Sequence, residues 1–166
     1  MTQRDAETLQ EFSKVLWGAN IWRVKLNAEY SFEEGGSYQH MDALCFDFHE
    51  PLAVPGKIRK HQRVGSLWIG GSAGARLERG RKALVGSSDS VAKGLEQFSK
   101  MVGSRLLKIV VSPPGGDTMF IFENDLILNC FPAQSREGNS WVISAADGNR
   151  LTLGPGARVT YKTGLS

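Results

Sequence analysis

The sequence predicts an α+β fold built by tandem duplication, each repeat one N-terminal helix followed by four or five antiparallel strands around a shared core. Three observations predict it. The segment "LQEFSK" begins at Leu9, and its near copy "LEQFSK" begins at Leu95. Each is followed by a glycine and an apolar run, "GANIWRVKL" from Gly18 and "GSRLLKIVV" from Gly103. Further on, "FDFHEPLAV" from Phe46 matches "FIFENDLIL" from Phe120, and "SLWIGGSAGARL" from Ser66 matches "SWVISAADGNRL" from Ser140, both with a shift of 74 residues. Self-similarity in a constant order is the signature of a duplicated unit. Halves of a 166-residue chain are expected to share a core, because each alone buries too little apolar surface. The expected boundary separates 1–82 from 83–166.

Each element follows from local pattern. Leu9, Phe12 and Leu16 make one apolar stripe at helical spacing, and Leu95, Phe98 and Val102 make the second. Gly18 and Gly103 stand where helix stops are expected, and Ser90 is a suitable N-cap. Trp22, Val24 and Leu26 alternate with Arg23 and Lys25, as in a strand with one face buried. On the next strand Leu44, Phe46 and Phe48 point one way, and Cys45, Asp47 and His49 the other. Asn124-Asp125 and Asp147-Gly148 each suit a hairpin turn. A last strand is expected at "ARVTYK". The segment 80–89 reads as the link between halves. Phe12, Phe46, Trp68, Phe98, Phe120 and Trp141 are the expected core.

The bulk properties narrow the function. No apolar run approaches the roughly 20 residues needed to span a bilayer. The N-terminus "MTQRDAETLQ" carries charge where a signal peptide needs an apolar centre, so a cytoplasmic protein is expected. Two cysteines, Cys45 and Cys130, are too few for a disulfide framework. The net charge of +3 hides an asymmetry. Residues 1–50 hold four Lys/Arg against nine Asp/Glu, whereas residues 51–100 hold ten against three.

Several motifs invite chemistry and fall short of it. The glycine-rich run at 70–74 lacks the Gly-Lys-Ser/Thr ending of a phosphate loop and reads as a turn. Cys45, Asp47 and His49 share a strand face, yet a nucleophile needs a base and an oxyanion hole, and zinc needs further ligands. The matching positions Met119, Ile121 and Glu123 supply no second ligand set. His40 and His61 have no ligand spacing. No enzyme activity, metal or cofactor is therefore expected. The basic runs "KIRKHQR" and "RLERGRK" suit phosphates, with Lys57, Arg59, Lys60 and Arg63 as candidate nucleic-acid contacts in the 57–82 region. Trp68, within "LWI", reads as core and not as a base-stacking platform.

The two halves differ most between their first and second strands. The first has "NAEYSFEEGGSYQHM", the second only "SPPGGD". The longer segment reads as a loop carrying Glu29, Glu33 and Glu34 with Tyr30, Phe32 and Tyr38, and Asp42 just after it is a further steering carboxylate. Aromatic anchors among carboxylates suit a protein-binding surface.

The order "F-D-F-x-x-P", "LWI", "RL", then "F-E", "W-V-I", "D-G" and "GPG" resembles a family of uncharacterised two-repeat bacterial proteins. Phe46, Asp47, Phe48, Leu67, Trp68, Ile69, Trp141, Asp147, Gly148 and the stretch 154–156 carry the resemblance. Ala75 departs from it, standing where the family has an aromatic before Arg76-Leu77. The type is similar to bacterial immunity proteins. That resemblance implies a non-catalytic cytoplasmic protein that neutralises a partner toxin, such as a nuclease, by binding it. A basic toxin would be steered towards the acidic first half. The alternative is a nucleic-acid-binding module.

Overall fold

The computed structural model describes residues 2–33, 36–51, 61–70, 73–112, 116–132, 140–154 and 157–164. Helix α1 (Gln3–Ser13) opens on a capping box. The Thr2 hydroxyl accepts from the Asp5 backbone N–H, and the Asp5 carboxylate accepts from that of Thr2. These bonds satisfy donors that a helix start leaves unpaired. A single 3-10 turn (Lys14–Leu16) follows and buries Leu16. Helix α2 (Val91–Ser99) is capped by Ser90, whose hydroxyl accepts from the Lys93 N–H.

Strands β1 (Asn20–Glu33), β2 (Gly36–Pro51), β3 (His61–Ile69), β4 (Ala73–Arg79) and β5 (Lys82–Gly86) separate the helices. After α2 come β6 (Leu106–Ser112), β7 (Asp117–Phe122), β8 (Leu126–Pro132), β9 (Trp141–Ala145), β10 (Arg150–Leu153) and β11 (Val159–Lys162). The six-stranded sheet A has the order β1-β2-β3-β9-β10-β11, and the five-stranded sheet B the order β5-β4-β8-β7-β6.

This architecture corrects the expected α+β repeat. The described residues are mostly β, eleven strands against two helices and one 3-10 turn, so two sheets and not helix-led repeats organise the core. Sheet A joins β1–β3 to β9–β11, and sheet B joins β6–β8 to β4–β5. Each half therefore gives strands to both sheets. The helices do not lead units of their own either. α2 packs on β1 and β5, the outer strands at one end of the two sheets, and α1 packs on β6.

The physical reason lies in the second 74-residue match. "SLWI" and "SWVI" do not occupy equivalent places in two units. They belong to β3 and β9, which pair with each other in sheet A, Trp68 opposite Val142 and Leu67 opposite Ile143. Two neighbouring central strands over one core need the same alternation, and alternation is blind to which sheet a strand joins. Half of the expected link at 80–89 is likewise strand, since β5 folds back on β4 around Gly80 (φ +59°).

One cluster forms the core, drawing on both sheets and both helices. Phe46, Phe98, Phe120 and Trp141 are buried in it as expected. Trp141 meets Phe120 edge-on, with centroids 5.8 Å apart. Its indole Nε1 donates to Thr118 Oγ1 at 2.9 Å and so ties β9 in one sheet to β7 in the other. Phe12 and Trp68 are only half-buried, and α2 buries Gly94 and Phe98, with Met101 buried just past its end and Leu95 and Val102 half-exposed. Val102 lies past the end of α2, where helical spacing no longer holds.

Candidate binding surface

The stretch expected as a loop at 27–41 is a β-ribbon. β2 pairs with β3 only from Leu44 to Pro51, but pairing of β1 with β2 continues to Glu33 opposite Gly36. Segments 27–33 and 36–43 thus pair only with each other among the described residues, and they form an arm beyond sheet A. Register places Tyr30 opposite Gln39, Phe32 opposite Ser37, Glu29 opposite His40 and Ser31 opposite Tyr38, with an irregularity between Asn27 and Ala28. Segment 28–42 contains four Asp/Glu and no Lys/Arg. The backbone brings Glu29, Tyr30, Phe32, Glu33, Tyr38 and Asp42 onto this one ribbon. Their side chains, and Glu34 altogether, lie outside the described residues.

Of the basic candidates, Lys57, Arg59 and Lys60 lie outside the described residues. Arg63 is on β3, opposite His49, exposed, and its Nη2 donates to Ser66 Oγ at 3.3 Å. It shares the outer face of sheet A with cations that the sequence reading did not group with it. One row of paired positions runs Arg23, Asp47, Ser66, Ser144, Arg150, Lys162. The next runs Lys25, Cys45, Trp68, Val142, Thr152, Thr160. Because Leu67 and Ile69 point into the core, Trp68 between them points out. Trp22 also departs from expectation. The register irregularity between Ile21 and Arg23 releases it from the buried series, leaving it 50% exposed and stacked on His49 at 5.4 Å. Part of the signal was present in the sequence, since Arg23 and Lys25 alternate along β1, whereas Arg63 joins this face only through the register irregularity between Phe48 and His49.

Two side chains of the Cys45–Asp47–His49 row are otherwise engaged, Asp47 with Arg23 and His49 with Trp22. Asp47 is buried, and the Arg23 guanidinium donates to its Oδ2 through Nε at 2.8 Å, with Nη2 at 2.6 Å. Burial, and then the Asp47 charge, push the Cys45 thiol up from its ordinary value. Such a thiol is a poor nucleophile at neutral pH. Cys130 faces the core, and burial pushes it up to about 12. Both cysteines are free. Among the described residues no three His, Cys, Asp or Glu side chains gather to hold a metal. No helix there is long and apolar enough to cross a membrane.

The apolar cleft beneath α2 is lined by Leu26, Leu44, Ile69, Ala75 and Phe98, with Ser87 the one polar side chain on it among the described residues. Those residues do not supply the converging polar groups that orient a small ligand. Comparison with protein-family models, with curated proteins and with solved structures finds no match to this chain.

Proposed function

We propose that this protein is a non-catalytic immunity-type protein, which binds and neutralises a partner toxin, a basic nuclease being the fitting class. The observation that carries the reading is the β1–β2 arm. A two-stranded ribbon standing clear of its sheet is marginal alone and gains most from a partner that covers it. An arm with carboxylates and no Lys/Arg speeds encounter with a basic surface, and aromatic anchors hold the complex afterwards. The raised Cys45 thiol and the paired Asp47 are in keeping with this reading, since neither is an activated nucleophile.

The test is affinity capture from cells that make the protein, comparing the native chain with a Glu29→Lys, Glu33→Lys, Asp42→Lys variant. A basic protein captured by the first and lost by the second supports the reading. Capture of the same protein by both sinks it. A second reading, nucleic-acid binding, is favoured by the outer face of sheet A, where Arg23, Lys25, Arg63, Arg150 and Lys162 surround Trp68. Recovery of nucleic acid that is lost on Arg63→Glu and Lys25→Glu, with no protein partner, selects that reading instead.

A further inference from the structure

The outer face of sheet B has a different chemistry from that of sheet A. One row of paired positions runs Glu78, Ile127, Ile121, Lys108 across β4, β8, β7 and β6. The adjacent row runs Arg76, Asn129, Met119, Val110. Ile121, Ile127, Met119, Val110 and, beside them, Phe131 are only half-buried, and Leu107 on β6 is 47% exposed. Apolar side chains thus cover the middle of a sheet face whose first row carries opposite charges on β4 and β6, with Ala83 on β5 beyond Glu78. The helices leave it open, since α2 packs against β1, β2 and β5 and α1 against β6. A contiguous apolar patch with a charged rim marks an interaction site.

We infer that this face binds a second copy of the chain, through a two-fold axis that runs parallel to the strands between β8 and β7. The charges select both the occupant and the operator. That axis sets β4 over the partner's β6 and β8 over its β7. Glu78 then faces Lys108 of the partner subunit, and Lys108 faces the partner's Glu78. Ile127 and Ile121 cross at the centre. A two-fold axis in the same plane but perpendicular to the strands would set glutamate on glutamate and lysine on lysine, which is repulsive. Glu78 already accepts from Arg76 Nε at 2.6 Å, and Arg76 lies 5.2 Å over the Phe131 ring. This holds the carboxylate at the rim of the apolar area. From strand spacing and rise, the face covers about 500–600 Å² per copy. That is the low end for a specific interface, so the expected dimer is weak and concentration-dependent. This inference is independent of the partner-binding reading, which uses the other sheet.

Sedimentation velocity on the full chain, from about 1 to 100 μM, tests it. The native chain should pass from monomer to dimer across that range. Ile121→Lys should weaken dimerisation by at least about 100-fold, since it buries a charge against an apolar partner. Glu78→Lys and Lys108→Glu, both on the rim, keep the test informative should Ile121→Lys not fold. Each alone should be largely monomeric, and an equimolar mixture should recover the dimer, because every contact again opposes a lysine and a glutamate. A native chain that stays monomeric throughout, or a mixture that associates no better than its components, would overturn the inference.

Discussion

Gly18 and Gly103 make matching bonds at one junction. The Gly18 N–H donates to the Leu106 carbonyl at 2.9 Å, and the Gly103 N–H donates to the Ile21 carbonyl at 2.8 Å. Ile21 and Leu106 complete the ladder by donating to the carbonyls of Ser104 and Ala19. The starts of β1 and β6 are thereby joined, so the point where each helix turns into a strand is stitched to its counterpart. Both glycines are left-handed, with φ of +81° and +88°, and a methyl group added at either meets nothing within 4 Å. The expected cost of Gly18→Ala or Gly103→Ala is therefore backbone strain alone, about 1–2 kcal/mol. Asn at either position should cost less than Ala. Urea unfolding of the four variants checks this, and equal stability of Ala and Asn variants would contradict it.

The Trp141–Thr118 bond makes a second prediction. Thr118 Oγ1 donates to the Gly116 carbonyl at 2.9 Å and accepts from Trp141, all within the core. Thr118→Val keeps the shape but leaves the indole N–H buried and unpaired, at a cost of about 1–3 kcal/mol. Because the bond crosses between sheets that share strands from both halves, the loss should appear in one unfolding transition. Two separated transitions in the variant would show that the sheets unfold independently.

Gly65 on β3 has no room for a side chain. A methyl group there would lie 2.5 Å from the Ser144 carbonyl oxygen and 2.8 Å from Leu16 Cδ2. Leu16, on the 3-10 turn, fills the space that this glycine leaves over sheet A. Gly65→Ala should thus destabilise the protein by about 1–3 kcal/mol through overpacking. Leu16→Ala in the same chain should relieve part of that penalty. Strictly additive losses in a double-mutant cycle would refute the contact.

Acid should expose the role of Asp89 ahead of α2. The Lys93 ammonium donates to its Oδ1 at 2.8 Å and the Gly86 N–H to its Oδ2 at 2.9 Å. The Lys93 bond first, then the Gly86 bond, hold the carboxyl below its ordinary value of 3.8. A folded value below the unfolded one means that the contribution is present above the unfolded value and lost as pH falls through the folded one. The native chain should exceed Asp89→Asn in stability at pH 6, and the gap should close below about pH 3. A gap that persists at pH 2 would assign the effect to packing.

The features legible in the sequence were those that local chemistry carries. Ser90 caps α2, and Asn124 and Asp125 take left-handed φ values of 61° and 57° between β7 and β8. Gly148 does so between β9 and β10. The partition of strands was not legible, because β3 and β9 alternate alike whether they pair with each other or sit in different sheets. Trp68 was read as core from the apolar run "LWI", although period-2 alternation with Leu67 and Ile69 turns it outward. The arm was read as a loop because Gly35-Gly36 and the charges outweighed the alternation of Tyr30 and Phe32. Gly36 instead lies within the ribbon, opposite Glu33.

Removing the arm tests the central claim most directly. Leu26 and Leu44 are paired across β1 and β2, so a short turn can join them in place of 27–43 without disturbing the pairing of β2 with β3. Affinity capture from the native cells should then recover a basic protein with the full chain and none with the shortened one, which should still unfold in one cooperative transition. Undiminished capture of that protein by a folded, armless chain would contradict the account.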